Sequence, residues 1–575
     1  MRRARQREVL PLEPESLDDA VLHQRLRLER LGGGAPESRV RGIARLGNEA
    51  PVAVYNRNVD GVAGLDDGTA VVFDVHGRVN YIAPAMRAAL LLLFLPASLL
   101  AQEASPYLPL SHWSTPFIEH LIAAGRMADP SPLSRPFKVD QILRAIEAVD
   151  SNVVTGAEWA TVKQIRSDLT RHMRGPSARL DVQAATAASS HARRDPLREA
   201  GLGHGTFSGG AALTLYFGPA VLVSHPYFDT RLKWDPDYFG KKDRVIAGRT
   251  AEAYVSAQWS FGELFFGSVD RNWGPRITDG LLVSPNPYSY DHLDVVIGTG
   301  GVNLEGLITQ LDDIADTSGV PQHRYFMAHR FTIRPPGNAT FSLWEGTIVA
   351  GTDRQLEPWF ANIFTLGLVQ QYDQNSQANN LVGFDVTTRV KRTQLFGSVL
   401  LDDIQVDRSN AGDKEPPSYG FTLGAQGGIG RYGWTAFYTQ VASLTYRTPN
   451  PAEAVMRRGV GLGRNFSGYD QLTLRGSMIA GPGVLLEPEV TLLRQSQSDF
   501  RLPYPSVAQY DSTPTLFAGP VTRTLRLALA GRVAHGRWVV SGDGGVHLIK
   551  NGPEKTRWVG SIQFTWRTKK EGRIP

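Results

Sequence analysis

The chain has no cysteine in its 575 residues, so disulfide staples and thiolate metal sites are both excluded. It also lacks an uninterrupted run of about 20 apolar residues, the length a helix needs to cross a bilayer. Neither sign of charge dominates: 61 lysines and arginines stand against 56 aspartates and glutamates. The basic residues are scattered rather than gathered with aromatics on one face, so there is no nucleic-acid footprint. Catalytic signatures are missing too. No Gly-x-Ser-x-Gly elbow follows a strand, and no His-Glu-x-x-His pair occurs. The 13 histidines are dispersed; His112, His120, His323 and His329 read as surface or packing residues. Tyr438-Thr439-Gln440 matches the start of an outer-membrane phospholipase signature, but no His-x-Ser-Asn-Gly follows, which leaves such an enzyme without a nucleophile. Asp312-Asp313 and Asp402-Asp403 fall short of the roughly six oxygens of a hard-cation site and read as solvated loop acids. No cofactor and no metal is expected.

What is abundant is glycine, 58 residues, with aromatics at 9%. That mixture suits many short strands with tight turns. One apolar run does stand out, from Met86 through Leu90-Leu91-Leu92-Leu93-Phe94-Leu95 to Ala101-Gln102. It carries one basic residue, an apolar core of about a dozen residues and a small residue at a cleavage position, the three parts of a secretory signal. The reading makes 86–101 a signal peptide and residues 1–85 a misassigned extension, with strand-like runs around Ala53–Tyr55 and Ala70–Val75. The alternative for 86–101 is a buried core helix.

Residues 102–175 have helical spacing. Phe117, Leu121 and Ala124 share one face with Gly125 as a C-cap, and Val139–Ile146 and Trp159–Met173 continue the pattern as a small helical bundle. From about residue 178 the period becomes two. In Val521–His535, Val521, Leu525, Leu527, Leu529 and Val533 lie on one face, and Thr522, Thr524, Arg526 and Arg532 on the other. Trp558, Ile562, Phe564 and Trp566 alternate with Ser561, Gln563 and Thr565. One apolar and one polar face suits a strand between lipid and a wet or plugged lumen.

The breaks between strands carry the fold assignment. Strands are expected near 178–188, 206–217, 220–230, 248–260, 262–270, 294–300, 302–312, 323–334, 339–350, 379–391, 393–404, 419–430, 432–446, 470–480, 483–495, 521–535, 537–549 and 556–566, about eighteen in all. Short breaks, such as Gly218-Pro219, Gly481-Pro482 and Gly536, alternate with long ones at 231–247, 271–293, 351–378, 447–469 and 496–520. In an up-and-down barrel this parity puts every short turn on one rim and every long loop on the other; a sandwich has no reason to keep it. The fold class expected is an all-β transmembrane barrel of antiparallel strands over 176–566, with a tail at 567–575. Trp359–Tyr372 breaks the parity if counted as a strand and is assigned to a long outer loop with helical character.

Arg271-Asn272-Trp273-Gly274-Pro275 opens a long loop directly after a strand and is followed by Leu281-Leu282-Val283-Ser284-Pro285-Asn286. An indole beside Gly-Pro, flanked by Arg and Asn, can stack on a sugar and hydrogen-bond its hydroxyls. The competing reading is a loop folded into the lumen, with Trp273 packed as a constriction.

These residues resemble the capsule assembly Wzi family. The features are Arg271–Pro275 with the downstream Leu-Leu-x-Ser-x-Asn, His329-Arg330-Phe331-Thr332-Ile333-Arg334-Pro335 before a tight turn, the Leu401-Asp402-Asp403-Ile404-Gln405 strand end, and Tyr107–Ala128 at the start. The resemblance covers about residues 105–566. It implies an 18-stranded outer-membrane barrel, a periplasmic helical bundle over 102–175 and outer loops that hold capsular polysaccharide as a lectin does. Asn272 stands where the family tends to have a second aromatic, and the chain runs nine residues past Trp566. The function expected is a non-enzymatic, monomeric surface anchor for capsular or extracellular polysaccharide, set in outer-membrane lipid. Its candidate contacts are Arg271, Asn272, Trp273, Trp359 and Tyr372. The alternative is a porin, in which inward Arg389, Arg475, Arg526 and Arg532 favour anions.

Overall fold

A computed structural model describes residues 103–244, 246–275, 277–316, 318–403, 409–410 and 412–575, together with short strands within the first 82 residues. The chain divides into two units, residues 1–100 and 101–575. In the first, Leu28–Glu29, Val40–Ala44 and Val52–Tyr55 form one antiparallel sheet, and Ala63–Gly64, Ala70–Phe73 and Val79–Ile82 another. Both strand-like runs of the extension are therefore strands. The expected signal segment, 86–101, lies outside the described residues.

The second unit is built on a closed antiparallel barrel. Its strands are β1 Ser177–Ser189, β2 His204–Phe217, β3 Ala220–Asp229, β4 Ala247–Trp259, β5 Gly262–Ser268, β6 Asp291–Gly298, β7 Val302–Gln310, β8 Pro321–Ile333 and β9 Ala339–Gly351. The wall continues with β10 Asn379–Val390, β11 Thr393–Asp403, β12 Ser418–Ile429, β13 Tyr432–Val441, β14 Tyr469–Gly481, β15 Val484–Gln495, β16 Thr522–His535, β17 Trp538–Lys550 and β18 Thr556–Arg573. A two-residue strand, Ile314–Ala315, adds to the outer end of β8. Each strand pairs with its chain neighbours, and β18 pairs with β1 to close the ring. Closure leaves no strand edge bare, the condition for sheet in hydrocarbon.

The alternation survives. On β16, Leu527, Leu529 and Val533 are exposed on the outside, while Thr524 and Arg526 are buried inside. Trp558, Ile562 and Phe564 on β18 likewise face out. Exposed apolar side chains thus form a band around the wall, as a membrane-spanning barrel requires.

The parity is complete. Short turns at 218–219, 260–261, 299–301, 334–338, 391–392, 430–431, 482–483 and 536–537 share one rim. The connections at 190–203, 230–246, 269–290, 311–320, 352–378, 404–417, 442–468, 496–521 and 551–555 share the other. Gly218, Gly430, Gly483 and Gly536 have left-handed φ at the short turns, where two-residue hairpins need it.

Two boundaries differ from expectation. The strand expected to reach residue 446 stops at Val441, because Ala442, Leu444 and Tyr446 turn inward and are buried in the lumen. The expected tail from 567 is strand as far as Arg573. Its charges find opposite charges across the ladder, with Lys569 opposite Asp181 and Glu571 opposite Arg179.

Among the described residues three helices precede the barrel: α1 Thr115–Ala123, α2 Val139–Glu147 and α3 Gly156–Leu169. Gly125 follows α1 with φ 70°, the left-handed stop read from the sequence. A capping box starts α3: the Glu158 N–H donates to Thr155 Oγ1 at 3.2 Å, and the Thr155 N–H donates to Glu158 Oε2 at 2.5 Å. Thr170 is extended, so α3 ends short of the Met173 expected. The helices bury Phe117, Ile118, Leu121, Ile142 and Ile165 against Ile479, Leu485, Ala534 and Val539 of the wall. At the short-turn rim the Gly483 N–H donates to Thr161 Oγ1 at 2.9 Å.

Candidate functional site

Loop 269–290 leaves β5 and folds into the lumen. Asn272–Trp273 pairs there with Ser134–Arg135 of the segment between α1 and α2. The Gly274 N–H donates to the Leu133 carbonyl at 2.9 Å, and Arg330 Nη2 donates to the same oxygen at 2.5 Å. Chain entering from the short-turn side therefore meets chain descending from the long-loop side.

The three adjacent candidates Arg271, Asn272 and Trp273 belong to this internal frame. Arg271 Nη2 lies 2.8 Å from Asp294 Oδ2, and its Nε donates to His292 Nε2 at 2.7 Å. Asn272 Oδ1 accepts from the Gly280 N–H at 2.7 Å, which closes the loop on itself. Here the amide does what an aromatic ring cannot. Trp273, 2% exposed, donates its indole N–H to Glu305 Oε1 at 3.3 Å, and the Arg330 guanidinium sits 5.3 Å from its ring. A sugar has no open indole face to stack on, and the folded-in reading describes these side chains.

Loop 442–468 completes the filling. Tyr446 Oη donates to the Leu281 carbonyl at 2.5 Å, and the Ser284 N–H donates to the Leu462 carbonyl at 2.9 Å. Arg324, fully buried on β8, donates through Nη2 to the Ala454 carbonyl at 2.5 Å. Trp273, Leu281, Leu282, Val283, Tyr446, Val455 and Leu462 form one apolar core with Leu307, Phe326, Ile348, Leu381, Leu400 and Val441 of the wall. Strands β7 to β11 and β13 to β15 contribute, so the centre of the lumen is packed like a protein interior. A cavity of about 420 Å³ remains between the helices and the wall, lined by apolar side chains such as Leu108, Leu169 and Val539 and by Arg179, Asp181 and Arg567. Of the inward arginines expected, Arg526 pairs with Asp543 at 3.0 Å and Arg475 with Glu489 at 2.7 Å.

Above this plug the long-loop rim carries arginines over aromatic rings. The Arg458 guanidinium lies 4.2 Å and that of Arg457 4.9 Å from the ring centre of Phe239, which is partly exposed. Arg194 lies 4.5 Å from the Tyr288 ring. The guanidinium groups of Arg457 and Arg458 make no ion pair among the described residues, although the Asp312 carboxylate accepts the Arg458 N–H, and burial together with the Arg458 charge holds Arg457 below its ordinary pKa. The sequence reading missed this pair and Phe239. Met456-Arg457-Arg458-Gly459 is visible as a basic dipeptide in a long loop, but nothing local brings it to residue 239.

Trp359 and Tyr372 lie in loop 352–378, which holds two short helices, α4 Pro358–Ala361 and α5 Gly367–Asp373. They are not brought together with Trp273: Trp359 is 38% and Tyr372 80% exposed, on the outer flank of the barrel. Asp402 and Asp312 are engaged with loop 442–468, accepting the N–H groups of Tyr446 and Arg458 at 2.6 Å each.

Residues 203–426 match the family model described as capsule assembly protein Wzi. No curated protein matches the chain in sequence. Among solved structures the chain is similar to Wzi, described as an outer membrane protein involved in group 1 capsule assembly in Escherichia coli and as a carbohydrate-binding β-barrel. The identity is 13%, the coverage 80% of this chain and 98% of that one, and the TM-score 0.53. More distant likenesses are OprD of Pseudomonas aeruginosa, at 11% identity, 68% and 95% coverage and TM-score 0.40, and OccAB1 of Acinetobacter baumannii, at 8%, 69% and 98% and 0.41. Residues 203–426 thus match the capsule assembly Wzi family model, and the barrel has the fold of E. coli Wzi.

Proposed function

We propose that this barrel is a non-enzymatic anchor that holds capsular or extracellular polysaccharide at the cell surface. The observation that carries the reading is the packed lumen beneath the rim from which the long loops emerge. A channel needs an open path, whereas a binding platform needs a rigid floor under accessible loops. The family match and the carbohydrate binding named for E. coli Wzi support the same conclusion. In this reading the long-loop rim faces outward, and helices α1 to α3 form a bundle on the periplasmic side, where outer-membrane barrels keep their short turns.

Contact with the glycan falls to Phe239, Arg457 and Arg458 at the rim, where a partly exposed ring and two guanidinium groups without an ion pair among the described residues suit an acidic or hydroxyl-rich chain. The folded-in Arg271, Asn272 and Trp273 act one step back, as the frame that fixes the floor. The test is retention of surface polysaccharide by cells carrying Arg457→Ala/Arg458→Ala or Phe239→Ala. Losing a partly desolvated cation–π contact, worth about 1–2 kcal/mol, lowers retention roughly five- to thirty-fold with the barrel still assembled. Full retention in both variants removes this site from the reading.

A further inference from the structure

Loop 352–378 does not rise from the rim; it turns down along the outside of the wall. On β8 and β9 even-numbered residues such as Arg330 and Trp344 point into the lumen, and odd-numbered residues point out. Towards the short turns the outward Phe331, Ile333, Phe341 and Leu343 are exposed, as a lipid-facing band should be. Towards the long loops the outward Met327, His329, Glu345, Thr347 and Val349 are buried. Loop 352–378 covers them. Phe360 is fully buried with Met327 and Val349. Ile363 rests on Gly306, where a Cβ would stand 2.1 Å from its Cγ2. The Gly367 N–H donates to Glu345 Oε1 at 2.7 Å, and Asn380 Nδ2 donates to Gln371 Oε1 at 2.6 Å.

Beneath the loop sits a polar pair on the lipid side of the barrel: His329 Nδ1 is 2.9 Å from Glu345 Oε1. The pair lies midway along its strands. Bare to hydrocarbon, a carboxylate and an imidazole there would be strongly disfavoured. The covering loop hides them and adds an N–H donor. Its own far side suits the place: residues 358–372 contain no Asp, Glu, Lys or Arg. Phe364 is 74%, Leu366 60%, Val369 54% and Leu368 44% exposed. The loop's charges, Asp353, Arg354, Glu357 and Asp373, stand at its two ends, where Arg354 pairs with Glu357 at 2.6 Å.

We propose that residues 358–372 form a flap embedded in the outer leaflet, with lipid acyl chains as the occupant of its exposed apolar side. The flap's surface is continuous with the membrane band of Phe341, Leu343, Phe331 and Phe384, and it replaces the upper half of that band over β7 to β10. It dips to mid-strand at Ile363 and returns. Trp359, next to rim-level Phe360, and Tyr372 flank the dip as interfacial aromatics do. Their exposure then serves anchoring in lipid rather than the sugar contact that their residue types suggested.

The absence of cysteine makes the test clean. Phe364→Cys and Leu368→Cys are nitroxide-labelled in the full-length barrel in liposomes, with Leu343→Cys as a lipid-facing control and Asp353→Cys as an aqueous one. Labels at 364 and 368 should collide with lipid-soluble oxygen several-fold more readily than with a water-soluble nickel chelate, matching 343 and opposite to 353. Nickel access at 364 and 368 means a solvated loop, and shielding from both reagents means a protein partner. Either result overturns the proposal.

Discussion

Arg271 and Asp294 face each other at 2.8 Å inside the barrel, both buried, the arginine held from the other side by His292. The pair ties the start of the infolded loop to β6. Its desolvation is repaid only while both partners are present, so removing one strands a charge. Asp294→Ala should destabilise the barrel by about 3–5 kcal/mol, whereas Arg271→Met/Asp294→Leu costs much less. Urea unfolding in lipid vesicles reads the difference. Equal midpoints for Asp294→Ala and wild type would show that the pair does not hold the plug.

Two carboxylates of the helical segment, Glu158 and Asp168, are held well below their ordinary range. Burial pushes the Glu158 carboxyl up, but the nearby His120 imidazole, the hydrogen bonds with Thr155 and the charge of Arg126 outweigh it and set it at about 2. Asp168 also settles at about 2: burial raises it, and His112, Arg567 and the Trp113 indole N–H lower it further. Both values lie below the ordinary 4.5 and 3.8. A depressed carboxylate stabilises the fold fully above its unfolded pKa and loses that contribution as pH falls through the folded one. Residues 103–175 should therefore become open to pepsin as pH drops from about 4.5 towards 2. Glu158→Gln/Asp168→Asn should already be loosened at neutral pH and flatten the profile. An unchanged profile in the double variant would place the acid response elsewhere.

The filled lumen predicts electrical silence. Purified barrel in a planar bilayer should show no steady open-channel current, because the core around Trp273, Leu281, Tyr446 and Leu462 fills the centre of the lumen. Excising residues 447–466 removes part of that core and should introduce conductance. Steady current from the intact chain would favour the transport reading.

The wall was legible because its signals are local. Period-two alternation and turn chemistry recur along the wall, and each of the eighteen expected strands is present, with the ends of two, at Val441 and Arg573, displaced by five and seven residues. The interior was not legible, since its contacts join distant segments. Nothing near Asn272 announces a ladder with Arg135, and Tyr446 reads as the end of a strand until Leu281 supplies its acceptor. The aromatic at 273 did announce importance, but residue type alone cannot separate a sugar platform from a packed constriction. The loop around Trp359 was read correctly as helical and outside the strand count, yet its seat on the wall depends on Gly306, fifty residues earlier in the chain.

That seat gives the sharpest structural test. Gly306 faces outward and leaves room for Ile363; a methyl group there would overlap Ile363 Cγ2 at 2.1 Å, and the neighbouring wall residues are themselves packed. Gly306→Val should lift the loop, and Phe360→Ala should loosen it by about 3–5 kcal/mol through the lost packing on Met327 and Val349. Both variants should gain proteinase K cleavage between residues 358 and 372 on intact cells, while Gly300→Ala, which meets nothing within 4 Å, should stay as resistant as wild type. If Gly306→Val is also as resistant as wild type, the loop does not rest on the wall, and the His329–Glu345 pair needs another cover.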